Sequence, residues 1–219
     1  ARSVVVDKEN NIYVGGGFRK SIDFGVDIVS RNPQDAGYDM FLLKLDEIGN
    51  PLWVKQSGPD NPFNRIHAVA LDPNSDSLYV LGHTWTQTEI NIDGEITPIP
   101  GALGLFVARF DIHGNHAWTK VFAANGDNLQ DLWPTYQIST DEYKNIYIGG
   151  EFRDSLILPD ETILKGSGMQ DFFIAKLTSG GQVDWVKTAT NLGAQTLNIF
   201  GLDVYEEDVV IVGGRAIEG

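Results

Sequence analysis

"YDMFLLKLDEIGNPLWVK", residues 38–55, holds an apolar run, a Gly-Asn turn and a second run built around Trp53. The same plan returns as "GLFVARFDIHGNHAWTK" at 104–120 and as "QDFFIAKLTSGGQVDWVK" at 170–187. Aligned on Trp53, Trp118 and Trp185, the copies stand 65 and 67 residues apart. A second phrase keeps step: "NIYVGG" at 11, "SLYVLG" at 77, "NIYIGG" at 145 and "VVIVGG" at 209, at intervals of 66, 68 and 64. Self-similarity at a fixed period is the mark of a repeat architecture. A period of about 66 divides the 219 residues into three copies and part of a fourth, near 1–64, 65–133, 134–197 and 198–219.

Each copy carries four strand signals. The first is "SVVVD", "HAVALD", "YQIST" or "FGLDVY"; a polar turn then leads to the "IYVGG" run, the "MFLLKLD" run and the "PLWVKQ" run. Gly49, Gly114 and Gly180 or Gly181 supply the positive φ of a tight hairpin, and Asp46 and Asp111 are placed to cap it. No amphipathic helix is predicted. In the third run Phe41, Leu43 and Leu45 face one way and Met40 and Leu42 the other, so both faces of the sheet are apolar. A sheet with one wet face would alternate. The reading is all-β: a β-propeller of four-stranded antiparallel blades, three blades and two strands of a fourth. A β-sandwich fits this period less well. Such an arc is not a closed ring, which predicts that these residues belong to a longer chain. Two copies would not complete a ring, because neither supplies strands three and four of the broken blade.

The pattern resembles the bacterial β-propeller repeat family called SBBP. Its units read like D-x-x-G-N-x-Y-V-x-G-x-F, then an I-D-F-G-like segment, then D-x-F-V-x-K-L-D-x-x-G-x-x-x-W. Asp7, Asn11, Tyr13, Gly16 and Phe18 match the first part, "SIDFG" at 21–25 the second, and Asp39, Phe41, Lys44, Leu45, Asp46, Gly49 and Trp53 the third. The third copy matches through Asp141, Asn145, Tyr147, Gly150, Phe152, Asp171, Phe173, Lys176, Leu177 and Trp185. The second departs, with Thr84, Gly104 and Arg109 where Phe18, Asp39 and Lys44 stand. The resemblance spans essentially the whole chain. It implies an exported or cell-surface bacterial protein and implies no particular chemistry.

A net charge of −14 and a pI near 4.5 leave no basic footprint for nucleic acid. No run approaches the roughly 18 apolar residues of a membrane span. The absence of cysteine removes disulfides and thiolate chemistry. The chain opens on Ala rather than Met, which predicts a removed leader or a piece of a longer protein.

Function is expected in the connections. Those from strand two to three, containing "SIDFGVDIV", "EINIDGEITPI" and "LILPDETIL", read as extra hairpins covering the rim. Those from strand four to the next strand one vary most between copies. They carry the candidate binding residues Asp60, Asn64, Arg65, Asp127, Asp131, Trp133 and Asn191. The expected function is a non-catalytic interaction or scaffold module of a larger surface or secreted protein. It would bind a protein partner, further domains of its own chain, or a glycan. The alternative is a glycan-active hydrolase or lyase with its site at the propeller axis, which needs paired carboxylates that no motif marks. A third reading has the blades only spacing other domains. No cofactor or metal is called for: "DKENN", "DPNSDS" and "DEYKN" read as Asx turns rather than calcium loops, and His113 and His116 lie in a repeat turn. Trp53, Trp118 and Trp185 are expected in inter-blade packing. Lys44, Arg109 and Lys176 are expected as structural cations at strand ends.

Overall fold

The computed structural model describes residues 1–30, 37–57, 64–85, 88–101, 103–125, 136–190, 197–205 and 208–215. Every regular element among them is a strand, so none is a helix long and apolar enough to cross a membrane. The first unit runs through β1 (Ser3–Val6), β2 (Ile12–Phe18), a small hairpin of β3 (Ser21–Asp23) and β4 (Ile28–Ser30), then β5 (Asp39–Leu45) and β6 (Pro51–Gln56). The second repeats this as β7 (Arg65–Leu71), β8 (Ser77–Trp85), the hairpin β9 (Glu89–Ile92) and β10 (Glu95–Pro98), β11 (Leu103–Asp111) and β12 (His116–Asn125). The third has β13 (Gln137–Thr140), β14 (Ile146–Phe152), the hairpin β15 (Ser155–Ile157) and β16 (Ile163–Lys165), β17 (Asp171–Leu177) and β18 (Val183–Ala189). β19 (Leu197–Tyr205) and β20 (Asp208–Arg215) pair as the first half of a fourth. Each complete unit is an antiparallel meander, ordered β1-β2-β5-β6, β7-β8-β11-β12 and β13-β14-β17-β18.

Local chemistry builds the turns. Asp7 Oδ1 accepts the Glu9 and Asn11 amides, and its Oδ2 accepts the Asn11 side-chain amide and the Tyr13 hydroxyl. Asp141 repeats this with Tyr143, Asn145 and Tyr147. Asp46 and Asp111 cap the later hairpin through Asn50 and Asn115, and there Gly49, Gly114 and Gly181 take φ of 88°, 84° and 80°. Burial raises the Asp7 carboxyl pKa, but the accepted hydrogen bonds outweigh it and hold the group below its ordinary value. These oxygens are already engaged by amide and hydroxyl donors. EDTA is therefore expected to leave the melting midpoint unchanged; a drop of several degrees would overturn the metal-free account of the turns.

Both faces of each sheet are used, because the units pack face to face. Tyr13, Met40 and Leu42 of the first unit share a core with Leu78, Val80, Phe106, Ala108 and Phe110 of the second. The opposite face of the second, with Tyr79, Leu81, Leu105 and Val107, meets Ile146, Ile148, Phe173, Ala175 and Leu177 of the third. Tyr147 and Ile174 then meet Leu202 of the fourth. The first strands run side by side through the array: Ser3 Oγ accepts the Val69 amide, Thr140 Oγ1 donates to the Leu71 carbonyl, and Ser139 Oγ donates to Asp203.

A cross-strand row recurs on the outgoing face: Tyr13–Lys44–Trp53, Tyr79–Arg109–Trp118 and Tyr147–Lys176–Trp185. The cations are structural. The Lys44 ammonium lies 5.0 Å from the Tyr13 ring centroid and donates to the Ile112 carbonyl of the next unit, Lys176 lies 5.6 Å from Tyr147, and Arg109 donates to Ser77. The tryptophans sit between units. A Cβ on Gly114 or Gly181, in the turn of the following unit, would come within 3.2 Å of Trp53 or Trp118. A second recurring pair sets Gly16 opposite Phe41, Gly82 opposite Phe106 and Gly150 opposite Phe173, where the ring covers the bare glycine backbone.

The extra hairpins do more than cover a rim. β15 pairs with β12 of the preceding unit, which extends that sheet to six strands. Ile92 of β9 bridges to Ser57 beyond β6, and Lys55 pairs with Asp93 at 3.2 Å. Both hairpins therefore strap their unit to the one before. The first hairpin lies over its own sheet: Ile22 and Phe24 pack with Phe18, Phe41 and Leu43. Val4 and Val6 on that face are exposed, as are Phe200, Tyr205 and Val212 at the other end of the array.

The fourth unit departs from the phrase alignment by one residue. Val4↔Val14, Val69↔Val80 and Ile138↔Ile148 correspond to Leu202↔Ile211, so Ile211 does not occupy the tyrosine position that the "VVIVGG" phrase assigns it.

Candidate binding site

The site is built where the first two units meet. Tyr38 directly precedes β5, and Arg65 opens β7. The Asn64 amide donates to the Tyr38 carbonyl at 2.8 Å, which joins the two strand starts. This contact brings the Arg65 guanidinium to 3.6 Å from the Tyr38 ring centroid, and Arg19, just past β2, lies over the same ring at 4.1 Å. Desolvation makes such cation–π contacts stronger than they are in open water. Gly17 makes room: a Cβ there would lie 3.0 Å from Cγ of Arg65. Ala1, Arg2, Gly17, Tyr38 and Arg65 line a half-open pocket of about 140 Å³.

Three of the chain's seven arginines, Arg2, Arg19 and Arg65, thus converge in a protein of net charge −14. Burial, together with the neighbouring positive charges of Arg2 and Arg19, holds the Arg65 guanidinium below its ordinary pKa. Among the described residues none of the three forms an ion pair with a carboxylate.

Behind the pocket lies a neutral aromatic layer. β7 bulges between Ile66 and Ala68, and the extra residue, His67, turns toward His83 and Tyr136. His83 also packs on Trp85. Burial pushes His67 down to about 3, and His83 well below the ordinary imidazole value, so both rings are neutral at pH 7. Tyr136 is fully buried, and burial with the nearby Glu151 charge raises its pKa. Gln170 donates to Glu151 at 2.6 Å. The neutral imidazoles leave Arg2, Arg19 and Arg65 as the positive charges at the pocket.

Of the candidate binding residues read from the sequence, Arg65 lines the pocket and Asn64 is buried beneath it, acting through its backbone. Asp60, Asp127, Asp131, Trp133 and Asn191 lie outside the described residues. No sequence signal marks Arg2, Arg19 or Tyr38. They come from separate stretches, and no spacing rule links them. Among the described residues no group of three His, Cys, Asp or Glu side chains is placed to hold a metal. His113 donates its amide to Asp111 within the turn, and His116 contacts Thr119. The described lining offers guanidinium and phenol groups, a set suited to holding an anion rather than to paired-carboxylate hydrolysis. The chain matches no protein-family model and no curated protein.

Proposed function

We propose that this chain is a non-catalytic interaction module made of consecutive β-propeller blades of the SBBP kind, belonging to an exported or surface protein of a bacterium. It binds a protein or a glycan through the rim where the connections between strands meet. The blade reading is supported by the face-to-face packing of four-stranded units and by first strands that run side by side from unit to unit. The exposed apolar residues at the two ends of the array, Val4 and Val6 at one and Phe200, Tyr205 and Val212 at the other, suit further domains of the same chain or a protein partner. The observation that carries the binding reading is the arginine-lined pocket around Tyr38 on a strongly acidic molecule. The test is to present immobilised protein to a panel of peptides and oligosaccharides while assaying new reducing ends. Saturable binding without turnover is expected. Turnover of a glycan would replace this reading with the hydrolase or lyase alternative.

A further inference from the structure

We infer that the pocket formed by Arg65, Tyr38, Gly17 and Arg2, with Arg19 alongside, binds the carboxylate of a single acidic side chain presented by a protein partner. This rests on the interaction-module reading above and names the chemistry it recognises. Arg65 is the central group. Its stem lies over Gly17, its guanidinium is held on Tyr38, and five N–H donors in a fixed plane match a carboxylate in bidentate fashion. Arg19 on the same ring and Arg2 in the pocket wall add positive charge without competing carboxylates among the described residues.

Three observations narrow the ligand. The pocket, about 140 Å³, is smaller than the roughly 300–1,000 Å³ of clefts that hold whole small molecules, so it suits the end of one side chain. Two guanidinium groups already cover the Tyr38 ring, which leaves that ring unavailable as a stacking platform for a sugar. The net charge of −14 repels polyanions at long range, whereas screening beyond about 8–10 Å lets one isolated carboxylate approach the local arginine cluster. A lone glutamate or aspartate in an otherwise uncharged segment fits all three.

The test is titration calorimetry on the intact protein with three probes: a blocked glutamyl tripeptide, its glutaminyl counterpart and free glucuronate. The glutamyl probe is expected to bind in the millimolar range, at least tenfold tighter than the glutaminyl probe. Arg65→Gln is expected to weaken it tenfold or more. Arg19→Gln, at an exposed position whose change leaves the fold intact, is expected to weaken it three- to fivefold. Equal affinity for the glutamyl and glutaminyl probes overturns the inference, as does unaltered binding in Arg19→Gln when Arg65→Gln fails to fold. Glucuronate binding tighter than the glutamyl probe transfers the site to a uronate glycan and also overturns it. Failure of every probe, in a protein that still binds a member of the larger panel, overturns the carboxylate site alone and leaves the interaction module standing.

Discussion

Gly82→Ala is expected to destabilise the protein by roughly 3 kcal/mol or more, the upper end of the range for forcing atoms into a filled core. A methyl at position 82 would overlap both the Phe106 ring and the carbonyl oxygen of Arg65. The ring is wholly buried between two units, and the carbonyl belongs to a neighbouring strand, so neither can step aside cheaply. The matching change at Gly16 should cost less. There the obstacles are the backbone of Ala1 and the Phe41 ring, which lies at the end of the array under Phe24 and Ile22 rather than under a full sheet. Denaturant midpoints of the two variants check the order. A Gly82→Ala protein as stable as its parent would show that the glycine–phenylalanine pairing is not close packed.

Trp118→Ala is expected to cost about 3 kcal/mol, the lower end for removing a large aromatic from a core, because the side chain is half-buried. Trp118 packs on the core shared by the second and third units, 6.2 Å from the Tyr79 ring and against the turn at Gly181. Its loss opens a seam between units rather than a hole within one. The effect should therefore appear as a lower melting midpoint with reduced cooperativity. An unchanged midpoint would place the tryptophan on the surface and remove the recurring row from the account of how units adhere.

The all-β character and the recurring antiparallel strand order were legible because their determinants repeat. A glycine returns where the later hairpin needs positive φ, a tryptophan where one unit meets the next, and an aspartate in most of the capped turns, with Thr178 in its place in the third copy. Gly49, Gly114 and Gly181, with Trp53, Trp118 and Trp185, carry that message at constant spacing. Features that do not repeat stayed hidden. The bulge that turns out His67 leaves no mark in the apolar pattern, nor does the pairing of Ile211 with Leu202, nine positions before it where Val4 and Val14 stand ten apart. The expected hairpins are present, but their pairing with the preceding unit depends on contacts between residues such as Ala123 and Ile157 that no local signal encodes. The pocket was the least legible feature. Arg65 stands out in the sequence as a polar residue in a variable connection, yet its partners Arg2, Arg19 and Tyr38 arrive from three other segments only when the first two units dock.

Successive units pack with their first strands side by side, and one cross-link tests this directly. Ser139 of β13 and Asp203 of β19 lie 3.3 Å apart, Oγ to Oδ1, across the junction of the third and fourth units. The chain has no cysteine of its own, so Ser139→Cys with Asp203→Cys creates a single possible intramolecular disulfide. Under mild oxidation of the folded protein, both thiols are expected to disappear with no change in oligomeric state. Two thiols that remain fully reactive in the native protein would contradict the packing of these units and, with it, the propeller reading built upon it.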